Sequence, residues 1–265
     1  MNAYHEENIN SLSISYLHLR KVIGWLGMLL PYVLWFGNSL INKLDVLNNP
    51  NLVEIQHSKT YTPGPNLKSS ISHFYYTTTG ELFTGTLIAV ALFLFCYKGY
   101  KKQPGERGFS DNTLTNIAAL SALGVVIFPT AGDGLIVDNL RIFQSSTLCQ
   151  TIHFIMATLF FSSKAILIIW NFRRTGDPTT FGTKKSHRFF LFCGIGMITA
   201  IVLLFIYAMF LSDHFPTLKN YHIIYWLESI ALFFFGMAWL LKGKVDFLYL
   251  PKKMKMIAPS ASLTE

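Results

Sequence analysis

Apolar residues gather into six runs along the chain, at residues 22–41, 81–97, 113–129, 147–170, 189–211 and 221–241, separated by polar, turn-rich or basic stretches. Each run holds about 17–24 residues. At ~1.5 Å per residue that spans a hydrocarbon core of ~30 Å, the shortest runs only marginally. The pattern predicts an all-α, polytopic membrane helical bundle with six transmembrane helices in one domain covering residues 22–241. Residues 1–21 form a mostly polar N-terminal tail, and residues 242–265 a basic C-terminal one.

The stretches between the runs carry breakers and caps. The longest, residues 42–80, contains NNPN and TPGP, both turn formers, and reads as an irregular extramembrane loop. Pro31 inside the first run predicts a kink that neighbouring helices must accommodate. Ser110 or Asp111 is placed to cap the third helix, and FPTAGDG, from Phe128 to Gly134, is placed to stop it. The third run is rich in small residues (Ala118, Ala119, Ser121, Ala122, Gly124), which permit close helix packing.

Composition supports the membrane assignment. The chain is 51% hydrophobic and only 14% charged, against about 25% charged for a soluble domain. A net charge of +8 raises the question of nucleic acid, but the basic residues sit at the ends of apolar runs, so no nucleic-acid partner is expected. Three cysteines without a CxxC spacing indicate neither a disulfide framework nor a zinc ribbon. The first run is span-length and lacks a clear cleavage site after it, so it reads as a retained helix.

Lysine and arginine set the expected orientation. One side would hold Arg20, Lys21, Lys98, Lys101, Lys102, Arg107, Arg173, Arg174, Lys184, Lys185, Arg188, Lys242, Lys244, Lys252, Lys253 and Lys255. The other would hold only Lys43, Lys59, Lys68, Arg141 and Lys219. The positive-inside rule then places both termini in the cytoplasm, and His73, Asp133 and His214 outside.

Ionisable residues within spans are functional candidates, and three lie clearly inside runs: His153, Lys164 and Glu228. His153 falls six residues into its span and Glu228 seven into its own, both entering from the outer side. They therefore sit level, ~9–10 Å deep, with Lys164 roughly 10 Å below them. Tyr221, Tyr225 and Glu228 share a helical stripe at i, i+4, i+7. Facing stripes would make an outward-opening polar pocket with His153, Glu228, Lys164 and Tyr225 inside, and with His73, Tyr76, Glu81, Asp133 and His222 at the rim. Each has a plainer alternative. Lys164 can snorkel, His153 can bond a neighbouring hydroxyl or backbone group, and Glu228 can make a structural hydrogen bond. Tyr75, Tyr76, Trp226 and Trp239 suit an interfacial aromatic belt. No nucleotide loop, HExxH, GxSxG or Cys/His metal spacing occurs.

Over SSISHFYYTTTGELFTGTLIAVALFLFCYKGY, with LRKVIGWLGMLLPYVLWFGN before it and NIAALSALGVVIFPT and IHFIMATLFF after it, the chain resembles a family of bacterial inner-membrane proteins known only as a domain of unknown function. The likeness spans roughly the first four runs and implies a helical bundle in a bacterial inner membrane, with no activity attached. A fainter resemblance is to the alkaline ceramidase and hemolysin III-like superfamily, whose seven-span members set a serine, an aspartate and three histidines around a metal. It would cast Ser72, Asp133, His73, His153 and His222 in those parts, although six runs are present and the last lacks paired histidines one turn apart. Three functions follow as expectations. The first is a cofactor-free protein that binds or moves a small amphiphile or lipid. The second is a metal-assisted hydrolase of a lipid amide or ester, with zinc on His153, His222 and Asp133 and Glu228 as base to its water. The third is a structural subunit of a membrane complex that uses the small-residue face of the third span.

Overall fold

The computed structural model describes residues 3–48, 67–97, 108–130, 146–174, 181–212 and 214–248, together with Gly99 and Gly105. Helices are the only regular elements among the described residues. They are α1 (Ala3–Asn48), a 3-10 turn at Ser72–Tyr76, α2 (Gly80–Cys96), α3 (Asp111–Ile127), α4 (Thr147–Ile166), α5 (Phe181–Ile206) and α6 (Ile223–Leu248). α4 runs on through a π turn, Leu167–Asn171, and a 3-10 turn, Phe172–Arg174. α5 likewise ends in a π turn, Tyr207–Leu211.

Among the described residues, four segments are long and apolar enough to cross a membrane: Leu17–Ile41, Thr147–Arg174, Lys184–Leu211 and Ile223–Lys244. α2 and α3 are apolar but have 17 residues each, ~25 Å at the α-helical rise. All six predicted runs are thus helical, and four of them have spanning length. α1 is 46 residues long and begins well before residue 22. It also continues to Asn48, into what reads as loop in the sequence.

Each helix end has a local cause. The Ser110 side chain, not that of Asp111, caps α3 by accepting from the Thr113 N–H at 3.0 Å. Ser146 caps α4 in the same way, accepting from the Cys149 N–H at 3.2 Å. α3 stops because Pro129 follows Phe128, and a residue before proline is pushed out of the α region; Phe128 has φ −101° and ψ 99°.

Packing relies on small residues where helices cross. A Cβ on Gly24 of α1 would stand 2.9 Å from the Gly236 carbonyl oxygen of α6, and one on Gly236 would stand 2.6 Å from that of Gly24. Only glycine at both positions lets these backbones approach so closely, the usual device where lipid offers no hydrophobic drive for association. The small-residue face of α3 is used inside the chain. Ala118, Ala119, Ser121 and Ala122 are buried, and Gly124 packs against Met156 of α4. The large apolar side chains on the outside, among them Phe192, Phe205, Met209 and Phe210, suit a lipid-facing surface.

The aromatic belt expected at Tyr75, Tyr76, Trp226 and Trp239 does not form as such. Tyr75, Tyr76 and Trp239 are buried, and only Trp226 is exposed. Trp239 stacks edge-on with Tyr97 and Phe172 inside the bundle.

Candidate functional site

The site is built by residues 67–79, which fold back over one end of the bundle and bond to several helices. The Tyr225 N–H donates to the Ser69 carbonyl at 3.0 Å. The Ile71 N–H donates to Oε2 of Glu228 at 2.6 Å. The Tyr76 hydroxyl donates to the Thr130 carbonyl at 2.5 Å. Thr78 donates to the Asn38 side-chain oxygen at 3.0 Å and Thr79 to the Leu34 carbonyl at 3.4 Å, both on α1. Gly80, at the start of α2, allows this turn: a Cβ there would lie 2.6 Å from the Tyr75 carbonyl oxygen.

His153 is the centre of the arrangement. Its Nδ1 lies 2.8 Å from the Phe128 carbonyl oxygen and its Nε2 lies 2.9 Å from Oγ of Ser72. That carbonyl is one of those orphaned where α3 ends before Pro129. A carbonyl oxygen only accepts, so Nδ1 carries the proton. In the neutral ring Nε2 is then an acceptor, and the Ser72 hydroxyl donates to it. A helix stop in one part of the sequence thereby sets the tautomer of a histidine in another.

A cavity of about 250 Å³ opens beside this pair. Its polar lining is Ser70, Ser72, His73, Thr130, Gln150, His153, Thr158 and Glu228. Its apolar walls come from α4 (Phe154, Ala157, Phe161), α5 (Ala200, Ile201, Leu204) and α6 (Ile224, Leu227, Ala231). A smaller hollow of about 50 Å³ adjoins it and shares Ser72, Ala157, Phe161 and Glu228. The larger cavity is close to the ~300 Å³ lower end of small-molecule sites. It is amphipathic, with hydroxyls, imidazoles and a carboxylate at one end and a helix-lined apolar cleft along its length.

The structure brings His73, His153 and Glu228 to one cavity; level depth was expected of His153 and Glu228, and a rim position of His73. His73 also pairs with Oγ of Ser69 at 2.5 Å. The other predicted pocket residues lie elsewhere. Glu81 is exposed in the first turn of α2, where its charge suits the positive helix end. Tyr225 faces α1 instead: its hydroxyl donates to the Pro31 carbonyl at 2.9 Å and its ring packs on Trp35 and Phe74. Tyr221 is exposed in the 3-10 turn before α6. Lys164 neither snorkels nor lines the cavity. It is 1% exposed, with Nζ 3.9 and 3.7 Å from the ring centroids of Phe160 and Phe235, a cation–π sandwich.

The alternative zinc set of His153, His222 and Asp133 is only partly within the described residues. Asp133 lies outside the described residues. His222 lines neither cavity, and Nε2 of His153 is already directed at Ser72. Among the described residues no group of three or more His, Cys, Asp or Glu is placed to hold a metal ion.

Two features escaped sequence reasoning. Ser72 was named only through the fainter family resemblance, as part of a metal site; its contact with His153, 81 positions away, was not read from the residues. The second is a buried polar cluster around Arg20, Asp111, Asn171 and Lys242, placed far from the cavity by its positions on α1, α3, the π turn after α4, and α6. The chain matches no protein-family model, no curated protein and no solved structure.

Proposed function

We propose that the chain is a six-span protein of a bacterial inner membrane with both termini cytoplasmic, and that its outward-facing cavity binds or moves a small amphiphile or lipid. The orientation rests on the excess of lysine and arginine on one side. The spans α2 and α3, at 17 residues, are short by a few ångströms, a mismatch that local thinning of the bilayer accommodates. The resemblance to a bacterial inner-membrane family of unknown function fits this placement.

A single observation carries the functional reading. The cavity has a polar end formed by Ser72, His73, His153 and Glu228, and it continues as an apolar cleft between α4, α5 and α6. A headgroup at the polar end would meet hydroxyls, imidazoles and a carboxylate rather than hydrocarbon. An acyl or alkyl chain would lie along Phe161, Ile201 and Leu204. Among the described residues, neither metal-assisted hydrolysis nor a purely structural role has a comparable geometry.

Native mass spectrometry of the purified protein, released from detergent, tests the reading. The wild type is expected to carry an amphiphile of defined mass, and Ala157→Phe, which fills the cavity wall, to lose it. Equal retention of the same molecule in Ala157→Phe would sink the proposal.

A further inference from the structure

From the pairing of Ser72 with His153 inside the cavity, we infer that the site performs acyl transfer on an ester-bearing amphiphile, with Ser72 as nucleophile and His153 as general base. The inference rests on the reading of the cavity as an amphiphile site. Its geometry is that of an activated hydroxyl: nucleophile and base within hydrogen-bond reach at 2.9 Å, and the base oriented from its other nitrogen at 2.8 Å. The orienting group is the Phe128 carbonyl, which holds the proton on Nδ1 and leaves the Nε2 lone pair on Ser72. Both partners line the cavity, His153 buried and Ser72 partly open to it.

A contrasting pair lies a few residues away. Ser69 and His73 are also hydrogen-bonded, but they are four apart on one segment and Ser69 does not line the cavity. The backbone around Ser72 is already held by the Ile71–Glu228, Tyr225–Ser69 and Tyr76–Thr130 bonds. The Ser72 hydroxyl is therefore not needed to anchor the segment. Glu228, bonded to the residue before Ser72, acts as a positioning residue. Gln150, three residues before His153 and so on the same face of α4, puts an amide donor on the cavity wall to meet a developing oxyanion.

The steps balance as follows. Oγ of Ser72 bonds to the ester carbonyl carbon while its proton passes to Nε2 of His153. The tetrahedral adduct collapses, the C–O bond to the leaving alcohol breaks, and that alcohol takes the proton from Nε2. Water then adds to the acyl-Ser72 carbonyl and gives a proton to Nε2. The C–Oγ bond breaks, Ser72 regains the proton, and a carboxylic acid leaves.

The experiment is covalent labelling of the full chain in lipid nanodiscs with a long-chain alkyl fluorophosphonate, read by intact mass and peptide mapping. One adduct on Ser72 is expected. It should be absent in Ser72→Ala, unchanged in Ser69→Ala, and formed at least 100-fold more slowly in His153→Gln. Thermal unfolding of each variant establishes that it is folded, and Ser72→Ala alone decides the matter if His153→Gln is not. No adduct on folded wild type, or an equal rate in Ser72→Ala, overturns the inference. Bound amphiphile in the same wild-type preparation, seen by native mass spectrometry, would show in that case that the dyad fails while the binding site stands. Absence of both would remove the two readings together.

Discussion

The two ends of this bundle each bury a polar cluster, and they solve the problem differently. On α6, Glu228 and Lys242 are 14 residues apart, ~21 Å along the axis. At the Lys242 end the polar groups are filled in by protein. Asn171 donates to Asp111 at 2.7 Å and to the Phe109 carbonyl at 3.2 Å. Nζ of Lys242 reaches the Phe172 carbonyl at 3.4 Å, and the Arg20 guanidinium lies 5.2 Å from the centre of the Tyr97 ring. Trp239, Tyr97 and Phe172 close the cluster. At the Glu228 end comparable polar groups surround a cavity. Polar groups enclosed by aromatic rings serve to hold helices in register; polar groups beside open space can be reached by a ligand. On the proposed reading, the difference gives architecture to one end and ligand binding to the other.

The packed end should break most severely. Asp111→Ala removes the carboxylate that faces Asn171 and lies near Lys242, leaving buried polar groups unmatched. Losing one partner of a buried charged network costs about 3–5 kcal/mol, a fall in Tm of roughly 6–20 °C for a chain of this size. Thermal unfolding in detergent checks this, and the amphiphile bound at the other end should persist in the folded fraction. A fall of under 2 °C would mean that the Lys242 end is not the architectural one.

A smaller effect is expected where residues 67–79 meet the end of α3. Tyr76→Phe deletes one buried hydrogen bond to the Thr130 carbonyl, about 1–2 kcal/mol including the stranded acceptor. Hydrogen exchange at residues 70–80 should quicken roughly 5- to 30-fold, with α5 unchanged. Global acceleration instead would make this segment part of the core and blur the contrast between the ends.

Much of the helical architecture was legible in the apolar runs, because the length and composition of a run are one-dimensional properties. The shared depth of His153 and Glu228 was legible too, since counting residues from a helix end measures depth. Rotation about the helix axis was not. In lipid the outward face is as apolar as the inward one, so no stripe told that Tyr225 points to Pro31 while Glu228 points to the cavity. The Lys242 cluster was hidden for a related reason: Arg20, Asp111 and Lys242 stand at the ends of apolar runs, where charge is expected from topology alone. The fainter resemblance grouped Ser72 with His153, but the residue pattern alone did not give their contact, because it depends on residues 67–79 turning back over the bundle, where the sequence reads as an irregular loop, and on where α3 leaves its last carbonyls.

The mildest substitution sharpens the contrast most finely. Glu228→Gln keeps a side-chain oxygen able to accept from the Ile71 N–H and changes volume little, so stability should shift by less than about 1 kcal/mol. Exchange protection of Ile71, next to Ser72, should stay within a few-fold of wild type. What the amide does not keep is the second acceptor oxygen and the capacity for charge at the polar end of the cavity. If Glu228 serves only the backbone, Glu228→Gln will also hold its amphiphile unchanged, and this end of the bundle differs from the other only in packing. If the carboxylate meets a headgroup, native mass spectrometry will show the bound molecule lost or weakened about tenfold while Ile71 stays protected. That separation of stability from occupancy is the behaviour that distinguishes a site from a scaffold, and the Lys242 end should never show it.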